Sequence, residues 1–263
     1  MKEPEHRMTP TTQSSDNTST HARTSTLDRE TLLRLAATEY ERFASMLQGL
    51  GDEDWSRQTE CPAWDVWAMA GHVLGMAEMA ASVREMIRQQ LAAKKRGGVP
   101  IDALTAVQVD KSADLSTQEL IDRFRLVGPR AARARGRTPG LIRRRSMPDK
   151  QNVGGQLETW TFGFLLDTIL TRDPWMHRID ISRATGHPLD LSTDHDAALV
   201  ADVVNEWALR HGKPCSLRLT GAAGGSWTVG DGGPLLELDA IDFCRTLSGR
   251  EPASGLLATQ VPF

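Results

Sequence analysis

The stretch FGFLLDTILTRDPWMHRIDI, residues 162–181, places Phe162, Leu166, Ile169 and Leu170 three or four residues apart and continues that stripe with Asp173 and His177. Such spacing marks one face of a helix, so a carboxylate and an imidazole stand one turn apart among apolar positions. An unpaired carboxylate is costly to bury, and a cation held between Asp173 and His177 would account for its presence. Pro174 leaves a second reading open. Asp-Pro also begins helices, with Asp as the N-cap and Pro in the first turn, and Asp173 would then bind nothing.

Working outward, Asp28 can cap a helix carrying Leu32, Leu35, Ala36, Tyr40, Phe43, Met46 and Leu47, stopped by Gly49 and Gly51. A second helix is expected from Trp64 to Lys95, with Trp67, Ala70, Leu74, Ala77 and Ala81 on one stripe and Met69, His72, Met76, Met79 and Val83 on the next. His72 therefore faces inward, where a neutral imidazole is either a hydrogen-bonded core residue or a metal ligand. Residues 98–115 read as a mixed connection, and Ser116 with Glu119 forms a capping-box pattern that opens a third helix. The fourth runs from near Gln156 to Ile181 and closes before Gly186 and Pro188.

The remainder changes character. A helix over 194–211, alternating runs at 216–220, 226–229 and 235–238, a short helix over 241–247 and a last strand over 256–261 describe a small α/β domain. The expected fold is α+β, a four-helix bundle followed by that small domain. Its expected organisation is a disordered leader over 1–25, a bundle with the metal site over 26–190 and the α/β domain over 191–263.

Composition narrows the function. The net charge of −3 lacks the basic excess of a nucleic-acid binder, and Cys61, Cys215 and Cys244 are too few and too scattered for a disulfide framework. No apolar run is long enough to span a bilayer, and the first residues lack the apolar core of a secretory signal. A cytoplasmic protein without nucleic-acid or membrane partners, monomeric or homodimeric, is expected. The arginines at 133, 135, 137, 143, 144 and 145 read more readily as solvated surface than as an anion grip. No dinucleotide, P-loop or GxSxG pattern occurs.

The runs Cys61-Pro-Ala-Trp-Asp-Val-Trp-Ala-Met-Ala-Gly-His-Val73 and Thr171-Arg-Asp-Pro-Trp-Met-His-Arg-Ile-Asp-Ile181 resemble the mycothiol-dependent maleylpyruvate isomerase family of the DinB-like superfamily. Leu217-Arg-Leu-Thr-Gly221 and Gly225-Ser-Trp-Thr-Val-Gly230 resemble the sterol-carrier-like domain that follows the bundle in that family. The resemblance implies His72, Asp173 and His177 as ligands of a divalent metal. Zinc is the default for two imidazoles and a carboxylate, with nickel or iron able to use the same set. It also implies mycothiol as cosubstrate, with the metal-bound thiolate as the catalytic group acting on a small electrophile by S-transfer or isomerisation. Arg172, Arg178 and Trp64 are candidates for cofactor binding, although either arginine could form an ordinary ion pair and Trp64 or Trp175 could be core. Two departures stand out, Asp173 where the family has Glu and Ile179 where it has Trp. The alternative function is a non-catalytic module binding a small molecule or lipid, with a structural metal.

Overall fold

In the computed structural model, residues 5–8 and 25–263 are described. In chain order the elements are β1 (Glu5–Met8), α1 (Arg29–Gly49), α2 (Val66–Ala81), α3 (Val83–Arg96), α4 (Pro100–Ser112), α5 (Thr117–Arg137), α6 (Gly140–Arg143), β2 (Gln151–Val153), β3 (Gln156–Glu158), α7 (Phe162–Phe164), α8 (Leu170–Thr185), α9 (Ala198–His211), β4 (Cys215–Thr220), β5 (Gly225–Val229), β6 (Leu235–Asp239) and α10 (Ala240–Leu247). The fold is α+β. Two compact units divide it. One, helical, takes Arg29–Arg143 and Leu165–Leu189; the other, bearing the sheets, takes Arg144–Phe164 and Asp190–Phe263 with the described residues up to Asp28.

The helical unit is a bundle of α1, α2, α5 and α8. Tyr40, Phe43 and Leu47 of α1, Met69, Ala70, Val73 and Leu74 of α2, Leu120, Phe124 and Ala131 of α5 and Ile181 of α8 form its core. At about 25 cal/mol per Å² of apolar surface buried, large side chains such as Phe43 and Phe124 each contribute roughly 2–3 kcal/mol. Glu39 and Arg178 are both fully buried within it and paired at 3.0 Å.

The second helix departs from the single run expected over 64–95. Ser82 is extended (φ −149°, ψ 118°), and its hydroxyl accepts from the Glu85 N–H to start α3. The connection expected over 98–115 is largely the helix α4, with Pro100 in its first turn. Both α2 and α3 pack against α4. The fourth helix starts later than expected. Gln156–Glu158 pairs with Gln151–Val153 across Gly154 and Gly155, both at positive φ as a two-residue hairpin turn requires.

In α8 the chain stays helical through Pro174, so Asp173 is not its cap. Proline supplies no N–H to the carbonyl four residues back, that of Leu170. Arg135, 1% exposed on α5, fills the gap: its Nη1 donates to Leu170 O at 3.1 Å and its Nη2 to Asp167 O at 3.3 Å and to Thr171 Oγ1. Asp167 lies in a π-helical turn, Leu165–Ile169, and its carboxylate takes the Arg143 guanidinium. Arg135 and Arg143 are thus structural members of an arginine run that reads as surface.

In the other unit a four-stranded sheet has the order β1-β5-β4-β6, with β4 and β5 antiparallel and both edge pairings parallel. Trp207 of α9 meets Phe243 of α10 edge to face at 5.3 Å, and Leu217 and Leu219 of β4 are buried. The helix expected over 194–211 begins with a π-helical turn, Thr193–Ala197, and the last strand expected over 256–261 is instead a 3₁₀ turn, Gly255–Ala258. Glu5–Met8 forms the edge strand β1 inside the stretch expected as a disordered leader; positions 1–4 and 9–24 of that stretch lie outside the described residues. Among the described residues no helix is long and apolar enough to cross a membrane.

Candidate metal centre

His72 lies in the second turn of α2, a helix capped by Asp65, whose carboxylate accepts from the Ala68 N–H at 2.8 Å. Asp173 and His177 lie one turn apart on α8. The structure brings the three together. Asp173 Oδ2 is 3.7 Å from His72 Nε2, Asp173 Oδ1 is 3.5 Å from His177 Nε2, and all three donor atoms fall within 4.8 Å of one another. Donors bound tetrahedrally at the usual zinc distances are about 3.4 Å apart, so the residues present fit such an ion. Asp173 Oδ2 is buried without a hydrogen-bond partner, a position that a cation would satisfy.

The other nitrogen of each ring is engaged. His177 Nδ1 meets Asp180 Oδ2 at 3.1 Å, and His72 Nδ1 meets Gln108 Oε1 at 2.8 Å. Neither partner was singled out from sequence, although Asp180, three residues after His177 on the same helix, was open to discovery by spacing. Trp64 closes one side, its ring 4.8 Å from that of His72 and 5.8 Å, edge-on, from that of His177. Half-buried Cys61, with His177 and Asp180, makes a second group of possible ligand atoms within 4.8 Å of one another.

The other candidates lie deeper. Arg178 is 1% exposed and its guanidinium binds Glu39 at 3.0 and 3.3 Å, the ion-pair alternative left open by the sequence. Arg172 and Trp175 are fully buried.

The electrostatics reinforce the grouping. Burial opposes a charge on His177, but the facing carboxylates of Asp173 and Asp180 overcome it and raise the ring to about 9. Asp173 is held below the usual carboxylate range, burial again opposing and the two imidazoles prevailing. In the metal-free protein the raised His177 value has a definite sign. Its contribution to stability is complete below the reference value of 6.5 and is lost as pH rises through about 9. A metal at Nε2 must displace that proton, so zinc affinity should rise with pH up to about 9 and then level. Competition titrations against a chromophoric chelator across this range check it, and a flat profile would exclude His177 as a ligand.

An α+β chain whose bundle converges two imidazoles and a carboxylate belongs to the class of helical bundles with a candidate metal centre. The family model of the mycothiol maleylpyruvate isomerase N-terminal domain matches residues 36–182, more than half of the sequence, and the chain belongs to that family. Among solved structures it is similar to a mycothiol-dependent maleylpyruvate isomerase (16% identity, TM-score 0.53) and to a point mutant of a mycothiol-dependent maleylpyruvate isomerase (14% identity, TM-score 0.54). Each alignment covers 86% of this chain and 90% of the other. No curated protein matches it.

Proposed function

We propose that the protein is a metal-dependent enzyme that activates a low-molecular-weight thiol, of the mycothiol kind, for S-transfer to or isomerisation of a small electrophile in the cytoplasm. The observation that carries this reading is the convergence of His72, Asp173 and His177 around the unsatisfied Asp173 Oδ2, inside the segment matched by the family model. Three protein donors leave a coordination position open, the pattern of a catalytic rather than a closed structural site. A divalent ion there, zinc by donor type, would supply Lewis acidity and lower the pKa of a bound thiol.

The chain's own residues do the positioning. Asp180 and Gln108 occupy the outward nitrogens of the two rings, which leaves both Nε2 atoms turned towards Asp173. Trp64 packs on the His72 ring at 4.8 Å and limits its movement on that side. With a divalent ion held by these residues, a thiol would need no protein base. Asp173 is one methylene shorter than Glu, and the bend-tolerant turn around Pro174, held by Arg135, places it within reach of both rings.

The test is metal-dependent thiol binding. Titrating zinc-loaded protein with mycothiol, and in parallel cobalt-substituted protein with optical detection of a thiolate-to-metal band, should give saturable binding that chelation abolishes. Turnover of an activated electrophile should then require both metal and thiol. A metal-loaded protein that neither binds the thiol nor uses it would remove the proposal and favour a non-catalytic binding module.

A further inference from the structure

α3 is built against the usual rule of amphipathic helices. Val83, Ile87 and Leu91 lie 52–69% exposed, whereas Gln89, on the opposite side, is 1% exposed. Its neighbour Gln108, on α4, is equally buried. Two buried primary amides are expensive unless each finds complementary partners, and their partners form one chain that ends on His72.

The direction of that chain is fixed from its far end. Gln89 Nε2 lies 3.0 Å from Glu85 Oε1 and 3.0 Å from the Gly75 carbonyl, both of which only accept, so the nitrogen of this amide is unambiguous. Gln89 Oε1 must then accept, and it does so from Gln108 Nε2 at 3.1 Å. Gln108 Oε1 is left facing His72 Nδ1 at 2.8 Å, where a carbonyl oxygen can only accept a hydrogen bond. The neutral His72 ring is thereby held as the tautomer with hydrogen on Nδ1, which leaves the lone pair on Nε2, the atom 3.7 Å from Asp173.

The anchor stays ionised. Burial opposes the charge on Glu85, but hydrogen bonds from Arg88, Lys111 and Gln89 bring the group down to about 2. The route is also cleared sterically: a Cβ on Gly75 would come within 2.6 Å of Gln108 Cβ, so only glycine lets α4 approach this closely.

We infer that Gln108 and Gln89, oriented by Glu85, are positioning residues that set the His72 tautomer and so prepare its Nε2 for metal binding. This rests on the metal reading for its purpose, but its structural content holds in the metal-free protein. Outer hydrogen-bond partners of metal-bound histidines typically affect metal affinity by about 10–100-fold.

The deciding experiment uses metal-free, ¹⁵N-histidine-labelled protein in mildly alkaline buffer. Long-range ¹H–¹⁵N correlations then report the tautomer of each ring, with His72→Asn for assignment. The parent should show His72 wholly protonated on Nδ1. Gln108→Leu should abolish that preference. Gln89→Leu, which alters no atom in contact with His72, should turn it into a mixture and lower zinc affinity roughly tenfold. Should Gln108→Leu fail to fold, Gln89→Leu carries the test alone, its fold checked by spectral dispersion. A parent ring protonated on Nε2, or a Gln89→Leu variant with unchanged tautomer, would overturn the relay. A parent that refuses zinc yet shows the tautomer shifts would instead overturn the metal reading and leave the relay standing.

Discussion

Purified without a chelating tag, the parent is expected to carry one metal per chain by elemental analysis, and His177→Ala to lose it. The reasoning is local. Without this imidazole only His72 and Asp173 remain, and the Asp173 Oδ1 atom that faces His177 Nε2 at 3.5 Å loses its partner as well. Added zinc should raise the parent's unfolding free energy by about 2.7 kcal/mol at a hundredfold excess over Kd, and leave the variant's unchanged. A parent that contains no metal and accepts none would show that Asp173 is held by the two imidazoles alone.

The second large effect is on stability. Arg135→Met keeps the apolar stem but removes the donor to Leu170 O in a buried segment, whereas Asp167 O keeps the Thr171 hydroxyl at 2.8 Å. The orphaned acceptor costs about 1–3 kcal/mol, and a loss of that order is expected in urea denaturation. Because the need for Arg135 arises at Pro174, Pro174→Ala, which restores an N–H four residues on, should recover part of that loss in the double variant. If Arg135→Met costs under about 0.5 kcal/mol, the proline is tolerated for some other reason.

Much of the bundle was legible because its apolar residues recur at helical spacing over α1, α5 and α8, and the capping box at Ser116 and Glu119 is present in both directions. The break at Ser82 was missed although Ser82-Val-Arg-Glu85 has the same S-x-x-E form, because the helical period runs through it without interruption. The helix α4 was missed because its inward positions include Gln108 and Ser112, so no apolar stripe marks it. Gly154-Gly155 is a hairpin signal, but the flanking strands of three residues each are too short for alternation to register.

For the site, spacing placed Asp173 and His177 on one face, and the resemblance joined His72 to them from 101 positions earlier in the sequence. What stayed hidden was the support. Arg135 looked like one surface arginine among six, and nothing in a linear pattern shows that a guanidinium replaces a missing backbone N–H on another helix. Gln89 and Gln108 were equally silent, since glutamine has no period of its own.

The extended residue at Ser82 has a consequence for how such a site can change over time. A helix continued unbroken from α2 would carry residue 89 about 25 Å along its axis from residue 72. The reversal instead returns it to Gly75, within one turn of His72. The proposed ligands sit on α2 and α8, two helices of the bundle, but the groups that orient His72 sit on a side excursion, α3 and α4. Substitutions there would retune the proposed site in small steps while the four-helix scaffold is untouched, a dial separate from the frame.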